Sequence, residues 1–224
     1  MKRFFSFAFS FFTLFLLAKT ALAADSLKVF QAQDMVVTAS RAPMTAESAA
    51  RSLSIISREQ IKAAPVHNLQ DMLLYVEGVN LQRRGPLGTQ ADVSVRGGTF
   101  EQTLILIDGN KVSDPQTGHH NLNLPISLED VERIEVLRGA ASRLFGPNAF
   151  GGVINIITRQ ASEPEVRTEF SGGENGYLSG TASIAMPVEN YAQRLSLMRQ
   201  ISDGFRHNTD FEQTSVSYKS SLRF

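Results

Sequence analysis

The sequence predicts an α+β domain built on a small mixed sheet, followed by antiparallel strands of an incomplete transmembrane β-barrel. Between residues 42 and 158, β-prone runs are interspersed with short stretches of helical spacing and strong turn signals, as expected of a mixed-layer domain. After residue 158 the texture changes to segments of about ten residues with period-two alternation, separated by turn-formers, the pattern of membrane hairpins. The third observation lies at the N terminus. Lys2 and Arg3 precede a Phe-rich apolar run from Phe4 to Ala18, and Ala21-Leu22-Ala23 follows.

That order of charge, apolar run and small residues is a secretory signal peptide over residues 1–23, with cleavage expected after Ala23. The apolar run is shorter than the roughly 20 residues a spanning helix needs, and Lys19 interrupts it. No later segment is long and apolar enough to span as a helix, so membrane residence would have to come from strands or a partner. Acidic and basic residues balance at 22 each, which leaves no electrostatic footprint for nucleic acid. The absence of cysteine excludes disulfides, thiol chemistry and thiolate metal sites.

Residues 24–41 form a polar linker and then a β-prone segment, Asp34 to Arg41, with Pro43 after it and no obvious pairing partner. Leu53, Ile55 and Ile56 mark a strand from Ser52 to Ser57, where Ser57 and Gln60 make a capping box for a short helix to Ala64. Pro65 breaks that helix. A second helix places Leu69, Met72, Leu73 and Val76 on one face and closes at Gly78. Val79 to Gln82 and Ala91 to Arg96 are extended, with a Gly/Pro-bearing loop from Arg83 to Gln90 between them.

Thr103 to Ile107 is a buried-type strand, and Asp108-Gly109 turns it into Lys111-Val112. Ser113 to Pro125 is long and polar for a connection, hence a candidate functional loop. Ser127 can cap a brief helix whose first turn holds Glu129 and Asp130. Arg133 to Leu137 is the next strand, Gly139 breaks it, and Gly152 to Thr158 closes the domain. The strands expected beyond it are Glu165 to Ser171, Tyr177 to Met186, Tyr191 to Ile201 and Gln213 to Phe224, the last with Tyr218, Leu222 and Phe224 on one face.

Several motifs in order resemble the plug domain of TonB-dependent outer-membrane receptors. Asp92-Val93-Ser94-Val95-Arg96-Gly97-Gly98 is similar to the first Arg-Gly strand end, and Thr103 to Gly109 to the strand and Asp-Gly turn. Val131 to Gly139 is similar to the segment ending in Arg138-Gly139, and Phe145-Gly146 through Gly151-Gly152 to Thr158 to the closing motif. Ala140, Phe145 and Glu77 depart from the usual residues, and the departures bear on the subfamily.

The resemblance implies that Asp34, Met35, Val36, Val37, Thr38 and Ala39 form the Ton box, an exposed strand donor for a TonB-like energy-transducing protein through β-augmentation. It implies that Arg96 and Arg138 latch the plug (42–158) to barrel glutamates. It further implies import of a large scarce solute, cobalamin or an iron chelate, across the outer membrane of a diderm bacterium, with plug and Ton box facing the periplasm. Two loops are candidate ligand contacts: one carries Arg83 and Arg84, where the arginines could meet an anion or simply be solvated. The other carries Asp114, His119, His120 and Asn121.

Adjacent histidines in an extended segment point opposite ways and do not readily share an ion, so no metal site is expected. The glycines lack dinucleotide or P-loop spacing, and no catalytic constellation or cofactor motif is present, so an enzyme is the wrong class. Barrels of this type have about 22 strands, whereas residues 159–224 hold about four. A truncated receptor is therefore expected. The alternatives are several chains sharing one barrel, or a different class altogether: a non-transporting remnant or soluble periplasmic plug-like binding module.

Overall fold

The computed structural model describes residues 36–37, 44–45, 53–86, 88–112, 121–139 and 145–222. The signal segment, Asp34, Met35, Thr38, Ala39, Asp114, His119, His120, Ala140 and Phe224 lie outside them.

Strand β1 (Val36–Val37) pairs antiparallel with β2 (Met44–Thr45), in the register Val36 to Thr45 and Val37 to Met44. This corrects the expectation that the segment has no partner. Pro43 ends a strand because it lacks an N–H, but the chain can resume pairing directly after it. Strand β3 (Leu53–Ile56) leads into helix α1 (Arg58–Ala63). The capping box is formed as expected, with Gln60 N–H donating to Ser57 Oγ and Ser57 N–H to Gln60 Oε1. Ala64 is extended because Pro65 disfavours the helical region for the residue before it.

Helix α2 (Leu69–Leu73) is capped by Asn68, whose side chain accepts from Asp71 N–H at 2.8 Å. The helical spacing continues to Val76, yet the helix proper stops at Leu73. The N–H groups of Leu74, Tyr75 and Val76 bond three residues back rather than four, tightening the end of the helix before Gly78. Strands β4 (Val79–Arg83) and β5 (Ala91–Val95) form a hairpin that packs beside α2.

The central sheet comprises β3, β6 (Thr103–Ile107), β7 (Asn110–Val112), β8 (Val131–Arg138) and β9 (Gly152–Thr158), in the order β3-β8-β9-β6-β7. It is mixed, since β6 and β9 run parallel and every other pair is antiparallel. Its main core sets Ile105, Ile134, Val136, Ile154 and Ile156 against the helices and the β4–β5 hairpin. Leu104, Leu106, Ala149 and Val153 form a smaller cluster with Leu137 and Phe145. The β6–β7 hairpin turns through Asp108 and Gly109 with φ of 49° and 80°, the left-handed pair that a tight two-residue turn requires.

Strands β10 (Glu165–Gly172), β11 (Leu178–Val188), β12 (Tyr191–Ser202) and β13 (Phe211–Leu222) form an antiparallel meander, open at β10 and β13. Strand β11 runs through Pro187, where a turn was expected. Its pairing with β10 ends at Ala185, so β11 is an edge strand at Pro187, a position where proline is tolerated. The alternation is strict. On one face, Val166, Ile184, Leu195 and Tyr218 fall side by side across the four strands and are all exposed. On the other, Ser183, Ala185, Arg194, Ser196, Met198, Gln200 and Ser215 are buried.

At the sheet's tightest packing, a Cβ on Gly152 would lie 2.6 Å from the Leu137 carbonyl oxygen and 3.0 Å from Val95 Cγ1. Backbone cannot withdraw as a flexible side chain can. Gly152→Ala should destabilise the fold by about 1–3 kcal/mol, the usual range for overpacking. A urea unfolding midpoint equal to that of the parent would contradict this.

Candidate functional site

The two ends of the strand meander differ. Strands β11 and β12 are joined by Glu189 and Asn190 alone, whereas residues 173–177 and 203–210 make longer connections at the opposite end. The turn of the β4–β5 hairpin and the segment entering α2 reach that same end. Between them lies a cavity of about 420 Å³ lined by His67, Asp71, Arg83, Tyr177, Phe205 and Phe211, among others. The rings of His67 and Tyr177 meet at 5.5 Å between centroids, tilted by 56°, which joins the hairpin-bearing domain to the 173–177 turn. The Phe211 ring packs so closely on Gly88 that no Cβ fits there.

Of the candidate ligand residues, Arg83 lines this cavity and Arg84 lies next to it in the chain. Both are already engaged. Arg83 forms an ion pair with Asp71. Arg84 donates to Asp92 Oδ2 through Nη2 at 2.9 Å and Nε at 3.3 Å, while Gln90 holds the other Asp92 oxygen at 3.1 Å. Asn121 is half-buried beside the chain leading to Leu122 and Leu124.

The boundary between domain and meander is organised by carboxylates of the domain. Asp130 is buried and accepts from Ser127 Oγ at 2.8 Å, Ser196 Oγ of β12 at 2.5 Å and Ser217 Oγ of β13 at 3.3 Å. The helical turn at Leu128–Asp130 therefore differs from expectation: the Ser127 hydroxyl donates a hydrogen bond to the Asp130 carboxylate instead of capping the backbone. Lys219 of β13 donates to Asp108 Oδ2 at 3.0 Å and to the Thr158 carbonyl and Oγ1 at 3.0 and 2.6 Å. Thr158 N–H and Oγ1 in turn donate to Asp108 at 2.9 and 2.5 Å.

A third contact places Glu129 between Arg58 at 2.6 Å and Arg167 of β10 at 3.1 Å. Arg58 also donates to the carbonyls of Leu128 and Val131. Burial by itself would raise the Glu129 carboxyl, but Arg58, with Arg167 behind it, holds it below the ordinary carboxylate range.

Sequence reasoning missed these residues. It singled out Arg96 and Arg138, which the structure brings to the Glu77–Gly78 turn: Arg96 N–H donates to Gly78 O at 2.8 Å and Arg138 Nη1 to Glu77 O at 3.3 Å. Arg138 also lies 3.9 Å from the Glu77 carboxylate. Among the described residues, no glutamate of the meander meets either arginine. The one signal for the missed set was parity, since Ser196, Ser217 and Lys219 occupy the inward positions of their strands.

Residues 45–153 match the family model described as the TonB-dependent receptor plug domain. The chain is 31% identical over 190 residues to a vitamin B12 transporter BtuB of Photobacterium profundum, covering 84% of this chain and 31% of that protein. It is 35% identical over 193 residues to an iron-regulated outer membrane virulence protein of Vibrio cholerae, covering 78% and 29% respectively. Among solved structures, the siderophore receptor PirA of Pseudomonas aeruginosa superposes with a TM-score of 0.57 at 30% identity, covering 78% of this chain and 31% of the other. The chain thus spans about a third of the length of the curated relatives it matches.

Asp130→Ala leaves Ser196 and Ser217 without their acceptor and should cost about 3 kcal/mol, as for hydrogen bonds to a charged group. Faster proteolytic release of residues before 159 is the expected readout, and unchanged cleavage would contradict it. A carboxyl depressed in the folded state contributes stability that is complete above its unfolded pKa and is lost as pH falls through the folded one. The parent chain should therefore lose stability below the ordinary carboxylate range, and Glu129→Gln should flatten that part of the acid limb in urea midpoints measured from neutral pH down to about pH 3.

Proposed function

This chain belongs to the TonB-dependent receptor family through its plug domain, and on that premise we propose that it serves energy-coupled import of a large, scarce solute across the outer membrane. The solute class is that of the relatives, a cobalamin or an iron chelate. This chain supplies the Ton box, the plug and the first strands of the surrounding wall. The observation that carries the reading is the division of faces. The meander turns exposed apolar side chains outward and a polar, serine-rich face inward onto the plug, as a wall strand between lipid and a filled lumen must.

The longer connections at 173–177 and 203–210 are then extracellular, and the short turn at Glu189–Asn190 is periplasmic. That assignment puts the 420 Å³ cavity on the outer side of the plug, where solute arrives. Arg96 and Arg138 remain latch candidates toward wall strands beyond those of this chain. On the same reading residues 1–23 are the cleaved signal, 24–41 the linker and Ton box, 42–158 the plug and 159–224 wall strands.

Strand β1 supports the coupling role by its length. Its pairing with β2 spans two residues, so exchanging it for a strand of a TonB-like protein costs few hydrogen bonds and is compensated by the new ladder. Solute binding that favours the released state would shift the population toward it.

Val37→Pro, placed in the complete receptor, removes a main-chain donor from the coupling strand. Solute uptake should fall to the level of a strain lacking the TonB-like protein, with solute binding to whole cells retained. Uptake at the parental rate would reject the Ton-box assignment.

A further inference from the structure

The cavity at the loop end carries a charge pattern that says which solutes it admits. Its charged lining, among the described residues, is Asp71, Arg83 and Glu174. Arg83 is spent on Asp71, which leaves Glu174 uncompensated and the lining net negative. The adjoining cation, Arg84, is held by Asp92 at 2.9 Å. On the rim loop, Arg206 lies over the Phe205 ring at 5.1 Å from its centroid, between Asp203 and Asp210 in the chain. Arg83, the guanidinium of the lining among the described residues, is therefore not offered to an anion without first giving up a carboxylate, and Arg206, exposed on the rim, is held against a ring. The remaining surface is ring-bearing: His67, Tyr177, Phe205 and Phe211.

We propose that this cavity selects an uncharged or cationic, ring-bearing solute and rejects polyanionic chelates. The proposal rests on the reading of the cavity as the solute site. Physically, a polyanion would bring its charge against Glu174 and would have to displace Asp71 from Arg83, losing a charge-assisted pair in a partly desolvated place. A flat or ring-bearing neutral group loses nothing of that kind and gains stacking area on the four rings. A cation gains further, from Glu174 and from the ring faces. A cavity of about 420 Å³ accommodates one ring-bearing portion of a large solute rather than the whole of it.

The test is equilibrium dialysis with the full chain folded in detergent micelles, its β-structure checked by circular dichroism. The two probes are cyanocobalamin, an uncharged corrinoid, and ferric enterobactin, a polyanionic catecholate chelate. Cyanocobalamin should be retained at least about tenfold better than the chelate, and Phe205→Ala should lower its retention. Asp71→Asn frees Arg83 and should raise retention of ferric enterobactin by about tenfold, the scale of one charged hydrogen-bonding partner. Equal binding of both probes with loss of both in Phe205→Ala, or an Asp71→Asn variant with no gain for the chelate, overturns the charge selection while leaving the solute site standing. A folded chain that retains neither probe overturns the solute-site reading and the selection together.

Discussion

The hydrogen-bonding needs of the inward strand face are the constraint on which the rest of this structure depends. A strand that shows lipid one face must show the other to something polar, and Ser183, Arg194, Ser196, Gln200 and Ser215 are buried there. Buried polar groups without partners are costly. The meander pairs several of them internally, Ser183 with Arg194, Gln200 with Ser179 and Ser215 with Gln213, and the plug supplies Asp130 for Ser196 and Ser217 and Asp108 with Thr158 for Lys219. The short helical turn at Leu128–Asp130 and the Asp108–Gly109 hairpin are positioned so that their carboxylates reach the wall.

Charge at this boundary runs opposite to what the family resemblance suggests for Arg96 and Arg138. In two ion pairs between plug and wall the carboxylate belongs to the plug and the cation to the wall, Glu129 with Arg167 and Asp108 with Lys219. Two pieces of the plug, the Asp108–Gly109 turn with the end of β9 and the turn before β8, are thereby tied to the wall. Glu165 binds Arg194 and Arg159 at 2.6 and 2.9 Å and fastens the connector that follows β9. Strand β1, among the described residues, pairs with β2 over two residues.

The loop end shows how local and tertiary chemistry can pull apart. Two adjacent arginines on a Gly/Pro-bearing loop invite an anion. The fold instead gives each its own carboxylate, Asp71 from α2 and Asp92 from β5, and sets rings from the meander around them. Neutralised arginines beside aromatic rings make a different recognition surface from exposed ones.

Much of the fold was legible in the sequence because its signals are short-range. The capping box at Ser57–Gln60, the Asp108–Gly109 turn and the period-two alternation after residue 158 depend on residues a few positions apart, and the elements they specify are present with ends shifted by a few residues. Export signal and coupling strand were equally local readings, lying mostly outside the described residues. The tertiary structure alone decided what depends on distant partners. Val36–Val37 found Met44–Thr45 across Pro43, Pro187 stayed in β11 because β10 ends at Ala185, and Ser127 turned from the backbone to Asp130. Asp130 meets Ser196 and Ser217 across 66 and 87 residues of chain, and Lys219 reaches Asp108 across 111. Pattern along the chain fixes which face a residue takes. Which buried group it meets on that face is set by how the plug docks against the wall, and no local periodicity encodes that.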